Sequence, residues 1–271
     1  MKRVKLKKHN SFLFIFSFIL IICYLIYNRV SFIKPILNMM LENDIKLYGN
    51  SFDDIIYLMV NPFYYTSDNK VENADVDLYI YNTHDHEKYL DSYGVLEASN
   101  LIKDKLNIYG IKTVIEKEKV SPYIPNDGNF FDEYTVSRKY LEDVIKTYPN
   151  LKLIIDLHRD GLERENTYVK IGDKVYAKIL FVQGVRYENY EVNLSLAKKI
   201  SNMFDINYKG VSRGILLKDK EYQHDNYNQD LNLNAILLEL GSNNNTWEEV
   251  CNTIDVLVPI LKEIIYEKEN I

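Results

Sequence analysis

Three clusters of polar residues in this chain each follow, or sit within, a short apolar run. His84 and Glu87 come directly after VDLYIYNT (76–83), His158, Arg159 and Asp160 come after LKLIIDL (151–157), and Glu239 lies inside AILLELG (235–241). A His-x-x-Glu pair with a distant His offers two imidazoles and a carboxylate. Those donors hold Zn²⁺ and leave a fourth position for water or substrate. His84, Glu87 and His158 are the ligand set this reading expects. Glu239 is flanked by Leu237, Leu238 and Leu240. Burial there raises a carboxylate's pKa towards neutrality, which suits a general base that takes a proton from water.

Each residue has a plainer reading beside it. His-x-x-Glu spacing arises often by chance, His158 would serve as a satisfied core histidine, and Glu239 would pair with Arg159 or Arg213. His86 and Glu97 are rivals for the ligand positions, although Glu97 falls off the apolar face of its helix. Asp156 and Asp160 are candidates to orient His158 from behind, or to form a capping or turn pair. His224 sits in a polar loop and reads as solvated.

The metal reading needs these groups to meet, and the flanking elements allow it. VDLYIYNT, IKTVIEK (111–117), LKLIIDLH (151–158), VYAKILFVQG (175–184) and AILLELG read as strands, and GVSRGILLK (210–218) as a strand or an extended arm. Helical periodicity covers 95–110, where Val95, Ala98, Ile102 and Leu106 share one face and Gly110 ends the run. It also covers 130–150, which stops at Pro149-Asn150, and 190–204. A closing helix at 246–269 aligns Val250, Ile254, Leu257, Ile260 or Leu261, and Ile264. Strands alternating with helices predict an α/β fold: an open, mostly parallel sheet of about six strands with helices on both faces. In such a sheet the carboxyl ends of parallel strands face one crevice, so groups remote in sequence share a rim.

The N-terminus reads as an address. Residues 1–10 carry Lys2, Arg3, Lys5, Lys7 and Lys8, and 11–28 (SFLFIFSFILIICYLIYN) is uncharged. About 18 apolar residues nearly match a hydrocarbon core of about 30 Å. No small-residue cleavage site follows Tyr27. The expectation is therefore a cytoplasmic basic tail (1–10), a transmembrane signal anchor (11–28), a stalk or packing arm (29–75), and a domain over 76–271 outside a single-pass cell membrane. The net charge is −6, from 33 Lys+Arg and 39 Asp+Glu. Setting aside the five N-terminal cations leaves 28 against 39, or −11. So acidic a domain argues against a nucleic-acid partner. The two cysteines, Cys23 and Cys251, make neither a credible disulfide nor a thiolate zinc site.

Five segments then carry a resemblance: IYNTHDHEKY (80–89), DLHRD (156–160), SRGI (212–215), YNQDL (227–231) and LLELGSNNNTWEE (237–249). Their order resembles that of the stage II sporulation protein P family, whose core is similar to zinc N-acetylmuramoyl-L-alanine amidases. The likeness covers about 76–268. It implies a membrane-anchored peptidoglycan amidase that strips stem peptides from glycan, with some members also cutting peptide cross-links. It also implies a partner lytic transglycosylase of the stage II sporulation protein D type during engulfment. By matching, His84, Glu87 and His158 hold zinc and Glu239 is the catalytic carboxylate. Arg159 joins Glu239 as a candidate catalytic residue, with zinc stabilising the oxyanion aided by Arg159 or by a backbone N–H. The chain departs from the pattern at Lys88, where the family usually has Ser, and in a short segment between Glu87 and the first helix.

Two other functions compete. A zinc carboxypeptidase would use the same donors plus a cation for a free carboxylate, with Arg159, Arg164, Arg186 and Arg213 as candidates. A wall-binding module would hold no zinc. No Gly-rich phosphate loop and no G-x-S-x-G elbow is present in the sequence.

Overall fold

A six-stranded sheet carries His158, Arg159 and Glu239 of the expected site, and the turn after its Leu78–Tyr81 strand carries His84 and Glu87. The computed structural model describes residues 75–120, 132–219 and 226–269. The expected tail and anchor, all but the last residue of the arm, and His224 lie outside the described residues. Among the described residues, no helix is long and apolar enough to cross a membrane.

In chain order the principal elements are β1 (Leu78–Tyr81), α1 (Val95–Asn107), β2 (Thr113–Ile115), α2 (Glu133–Thr147), β3 (Leu153–Asp160), β4 (Tyr168–Ile171), β5 (Lys174–Ala177), β6 (Ile179–Gly184), α3 (Tyr190–Asn207), β7 (Ser212–Lys218), β8 (Ala235–Ser242) and α4 (Trp247–Glu269). The strand order is β2-β1-β3-β8-β6-β7, and β4 and β5 make a separate hairpin. β2, β1, β3 and β8 run parallel to one another. β6 and β7 are parallel to each other but antiparallel to β8.

The period-2 alternation of strands sorts two cores onto the two faces. Leu78, Ile80, Leu153, Ile155, Leu157, Ile236, Leu238 and Leu240 pack with α1, α3 and α4 through Ile102, Leu106, Ile200, Phe204, Ile254, Leu257 and Leu261. Tyr79, Tyr81, Ile154 and Ala235 face the other way, against Leu141, Val144 and Ile145 of α2. Each fully buried Leu or Ile contributes about 2 kcal/mol of transfer free energy. The expected helices on both faces are therefore present.

Local signals explain the ends of these elements. Asp132 caps α2 by accepting from the Thr135 N–H at 2.8 Å, and Pro149 follows its last turn. Gly110, at φ 76°, turns the chain after α1 into β2. The run 175–184 is not one strand as expected. It divides at Lys178, where the chain leaves the β4–β5 hairpin and enters the main sheet, with the Lys178 N–H donating to Thr167 O at 2.7 Å. Both halves are apolar, so composition alone carries no mark of the break.

Candidate metal centre

β1, β3 and β8 end at the same edge of the sheet, as parallel neighbours must. Within β3, Asp156 and His158 alternate with Ile155 and Leu157 of the larger core, and so face α2. Within β8, Glu239 alternates in the same way with Leu238 and Leu240. Tyr81 is in register with Asp156, and His158 with Glu239. A general-base candidate and a ligand candidate are thus direct neighbours on one face.

His84 and Glu87 reach this edge from the turn after β1. The Glu87 N–H donates to His84 O at 3.1 Å and closes that turn. Asn82 ties it to β3 by donating to Leu157 O at 2.7 Å, and Ser99 of α1 donates to Asn82 Oδ1 at 3.1 Å. Gly94 allows α1 to start against Glu87: a Cβ at Gly94 would lie 2.4 Å from the Glu87 carbonyl oxygen.

His84, Glu87 and His158 each offer a ligand atom within 4.8 Å of the others. His84 Nδ1 is 3.6 Å from Glu87 Oε1, and His158 Nδ1 is 3.6 Å from Glu87 Oε2. Donors about 2.0–2.1 Å from a tetrahedral ion are about 3.4 Å apart, so spacing and donor chemistry both fit a zinc-like ion. Behind His158, Asp156 Oδ1 lies 2.9 Å from Nε2, though out of line for a hydrogen bond. Asp156 is itself fixed, accepting from Thr83 N at 2.9 Å and Thr83 Oγ1 at 2.8 Å. That arrangement of a ligating imidazole backed by a carboxylate sets ring orientation in metal sites.

Electrostatics follow from this crowding. Burial pulls the His158 pKa down, but Asp156, Glu239 and Glu87 outweigh it and hold the metal-free imidazole at about 9. Burial would raise Glu87, yet its hydrogen bond with His84, the charge of His158 and the Arg159 N–H keep it below the usual carboxylate value. Glu239 goes the other way. Burial first, then the charges of Glu87 and Asp160, lift it from 4.5 to about 7 against the opposing pull of His158 and Arg213. Its Oε2 is enclosed and makes no hydrogen bond, and the two arginines weighed as its partners are engaged elsewhere, Arg159 with Lys88 O and Asp160 O and Arg213 with Asp160.

The other candidates fall elsewhere. The Arg159 N–H donates to Glu87 Oε2 at 2.9 Å, while its guanidinium turns to Lys88 O (3.2 Å) and Asp160 O (3.3 Å). Asp160 does not back His158; it pairs with Arg213 and accepts from the N–H groups of Gly161 and Leu162. His86 is largely exposed and faces Glu133. Glu97 accepts from the Gly94 N–H at 2.7 Å and pairs with Lys88, closing the first turn of α1. Arg164 pairs with Glu249, and Arg186 with Asp219 at 3.2 Å. Sequence reasoning missed Thr83, Gly94 and the first turn of α2. There Glu133 approaches His84, and Tyr134 meets His84 edge-on (centroids 5.5 Å apart) and stacks along His158 at 6.4 Å. An acidic residue at a helix start reads as dipole complementation, and nothing local points it at a histidine.

Among solved structures, the N-acetylmuramyl-L-alanine amidase Ami1 from Mycobacterium smegmatis is 12% identical with a TM-score of 0.44, covering 72% of this chain and 100% of that one. The apo form of Ami1 from Mycobacterium abscessus is 13% identical with a TM-score of 0.45, covering 71% and 100%. Stage II sporulation protein P of Bacillus subtilis (strain 168) is 28% identical over 221 residues, 76% of this chain. The chain spans about half the length of that curated relative, 54%. A family model for stage II sporulation protein P (SpoIIP) matches residues 42–262, and the chain belongs to this family.

Proposed function

We propose that this chain is a zinc-dependent peptidoglycan hydrolase that cleaves the amide bond between N-acetylmuramic acid and the L-alanine of the stem peptide. The observation that carries the reading is the convergence of His84, Glu87 and His158 beside Glu239, the strand neighbour of His158.

A zinc ion held by those three residues would polarise the scissile carbonyl and acidify a water molecule. Glu239 takes the proton from the attacking water and returns it to the leaving amine. A pKa near 7 suits both directions of transfer. Asp156 holds the His158 ring so that Nδ1 faces the cluster. The Arg159 N–H fixes Glu87. Its guanidinium would reach a developing oxyanion only by leaving Lys88 O and Asp160 O, so its contribution in this arrangement is to position Glu87. On the same reading, residues 11–28 tether the domain outside the cell membrane. A lytic transglycosylase of the stage II sporulation protein D type works beside it on peptidoglycan during engulfment. A carboxypeptidase is less well supported, because Arg159, Arg164, Arg186 and Arg213 all face protein acceptors.

The test is Glu239→Gln. The variant should bind zinc as the parent does and lose hydrolysis of purified peptidoglycan by at least about a hundredfold, the lower range for a general base. Hydrolysis at the parental rate would remove Glu239 from the mechanism.

A further inference from the structure

The two candidate imidazole ligands share one arrangement. In each, Nδ1 faces an oxygen of Glu87 at 3.6 Å. In each, Nε2 points away from the cluster towards a second carboxylate. For His158 that carboxylate is Asp156, at 2.9 Å. For His84 it is Glu133, whose Oε2 lies 3.5 Å from Nε2. Glu133 opens α2 directly after its capping residue Asp132, and the next residue, Tyr134, contacts both imidazole rings. One helical turn therefore holds a carboxylate and an aromatic ring against the ligand pair.

We infer that Glu133 is the positioning residue for His84: it keeps the imidazole proton on Nε2 and leaves the Nδ1 lone pair to a metal ion. This rests on the zinc reading above. A neutral imidazole can bind a metal through either nitrogen, and the hydrogen bond made by the other nitrogen decides which. Asp156 faces Nε2 of His158 and Glu133 faces Nε2 of His84, each close enough to accept the Nε2 proton once the neutral ring turns its Nδ1 to a metal, so α2 takes part in the metal site although it supplies no ligand. The two arms are unequal. Asp156 is buried in β3 and held by Thr83, whereas the Glu133 side chain is about a quarter exposed and also lies 3.7 Å from His86 Nδ1. Loss of Glu133 should therefore weaken binding less than loss of Asp156.

The experiment titrates zinc into the full-length, chelator-stripped chain against a chelating dye. It compares the parent with Glu133→Gln and Glu133→Ala. Outer carboxylates of ligating histidines are worth about 10–100-fold in affinity. Glu133→Ala should lose about tenfold, at the low end of that range. Glu133→Gln, which keeps an acceptor oxygen, should lose less. The visible absorption of the Co²⁺-loaded chain should be the same in all three, because the ligand set is unchanged. An Ala variant that titrates like the parent overturns the inference. So does a Co²⁺ spectrum that changes coordination number, which would make Glu133 a ligand. A parent chain that takes up no zinc overturns the zinc reading together with this one, whereas the first two results overturn this one alone.

Discussion

Replacing Glu239 by Gln should make the metal-free protein more stable at neutral pH. The Glu239 carboxyl has a pKa of about 7 in the fold, against 4.5 for an ordinary glutamate. Below 4.5 both folded and unfolded chains hold the proton and the group is neutral to stability. Between 4.5 and 7 the unfolded chain has lost the proton and the folded chain keeps it. Unfolding then releases a proton, and stability falls as pH rises. About 2.5 pH units at about 1.4 kcal/mol each give a loss of about 3 kcal/mol by pH 7. Gln has nearly the same shape and no such window. The variant should match the parent near pH 4.5 and exceed it by up to about 3 kcal/mol at pH 7. Above pH 7 the gain shrinks, because the ionised Glu239 of the parent supports the charge on His158. The assay is urea unfolding of chelator-treated protein at several pH values from about 4.5 to 8, read as midpoint shifts at constant slope. A variant that parallels the parent at every pH, or is less stable at pH 7, would refute the placement of Glu239 in a desolvated, carboxylate-rich pocket. Retention of a destabilising group is what a site built for proton transfer requires.

Two further outcomes follow from the same geometry. Asp156→Asn should lower zinc affinity about 10–100-fold in a dye competition, since Asp156 Oδ1 lies 2.9 Å from His158 Nε2; unchanged affinity would separate Asp156 from the site. Gly94→Ala places a Cβ 2.4 Å from Glu87 O; the overpacking should cost about 2 kcal/mol in denaturant unfolding and weaken zinc binding, and a variant with parental values would show that the turn can give way freely.

Much of this site was legible in the sequence because strands announce themselves by apolar runs. LKLIIDLH and AILLELG each place polar side chains within an apolar stretch, and parallel strands of an α/β sheet end at one edge. That sufficed to bring His84, Glu87, His158 and Glu239 towards a common rim. What the sequence lacked was register and reach. That His158 neighbours Glu239 depends on the β3–β8 pairing, which no local pattern encodes. Asp156 and Asp160 looked equivalent beside His158, yet only Asp156 backs the imidazole, because the pairing of β3 with β8 shifts register between His158 and Asp160 and Arg213 draws Asp160 away. Arg159 stood out as a charged residue next to a ligand, but it is its main-chain N–H that hydrogen-bonds Glu87, at 2.9 Å, while the guanidinium stays 4.0 Å from Glu87 Oε1. Glu133 was hidden because its partner lies 49 residues earlier, on another element. β5 was merged with β6 because VYAKILFVQG stays apolar across the bend at Lys178, and β4, its hairpin partner, was not read as a strand.

One preparation of the purified chain decides between amidase and carboxypeptidase activity, with bound metal measured by mass spectrometry and the products released from purified peptidoglycan identified. A zinc amidase should hold about one zinc per chain, set by the three-ligand cluster, and release free stem peptides that begin with L-alanine. Zinc with release of single terminal amino acids would contradict the amidase assignment in favour of a carboxypeptidase. A chain that binds sacculi but takes up no zinc, even when it is supplied, would contradict the hydrolase itself.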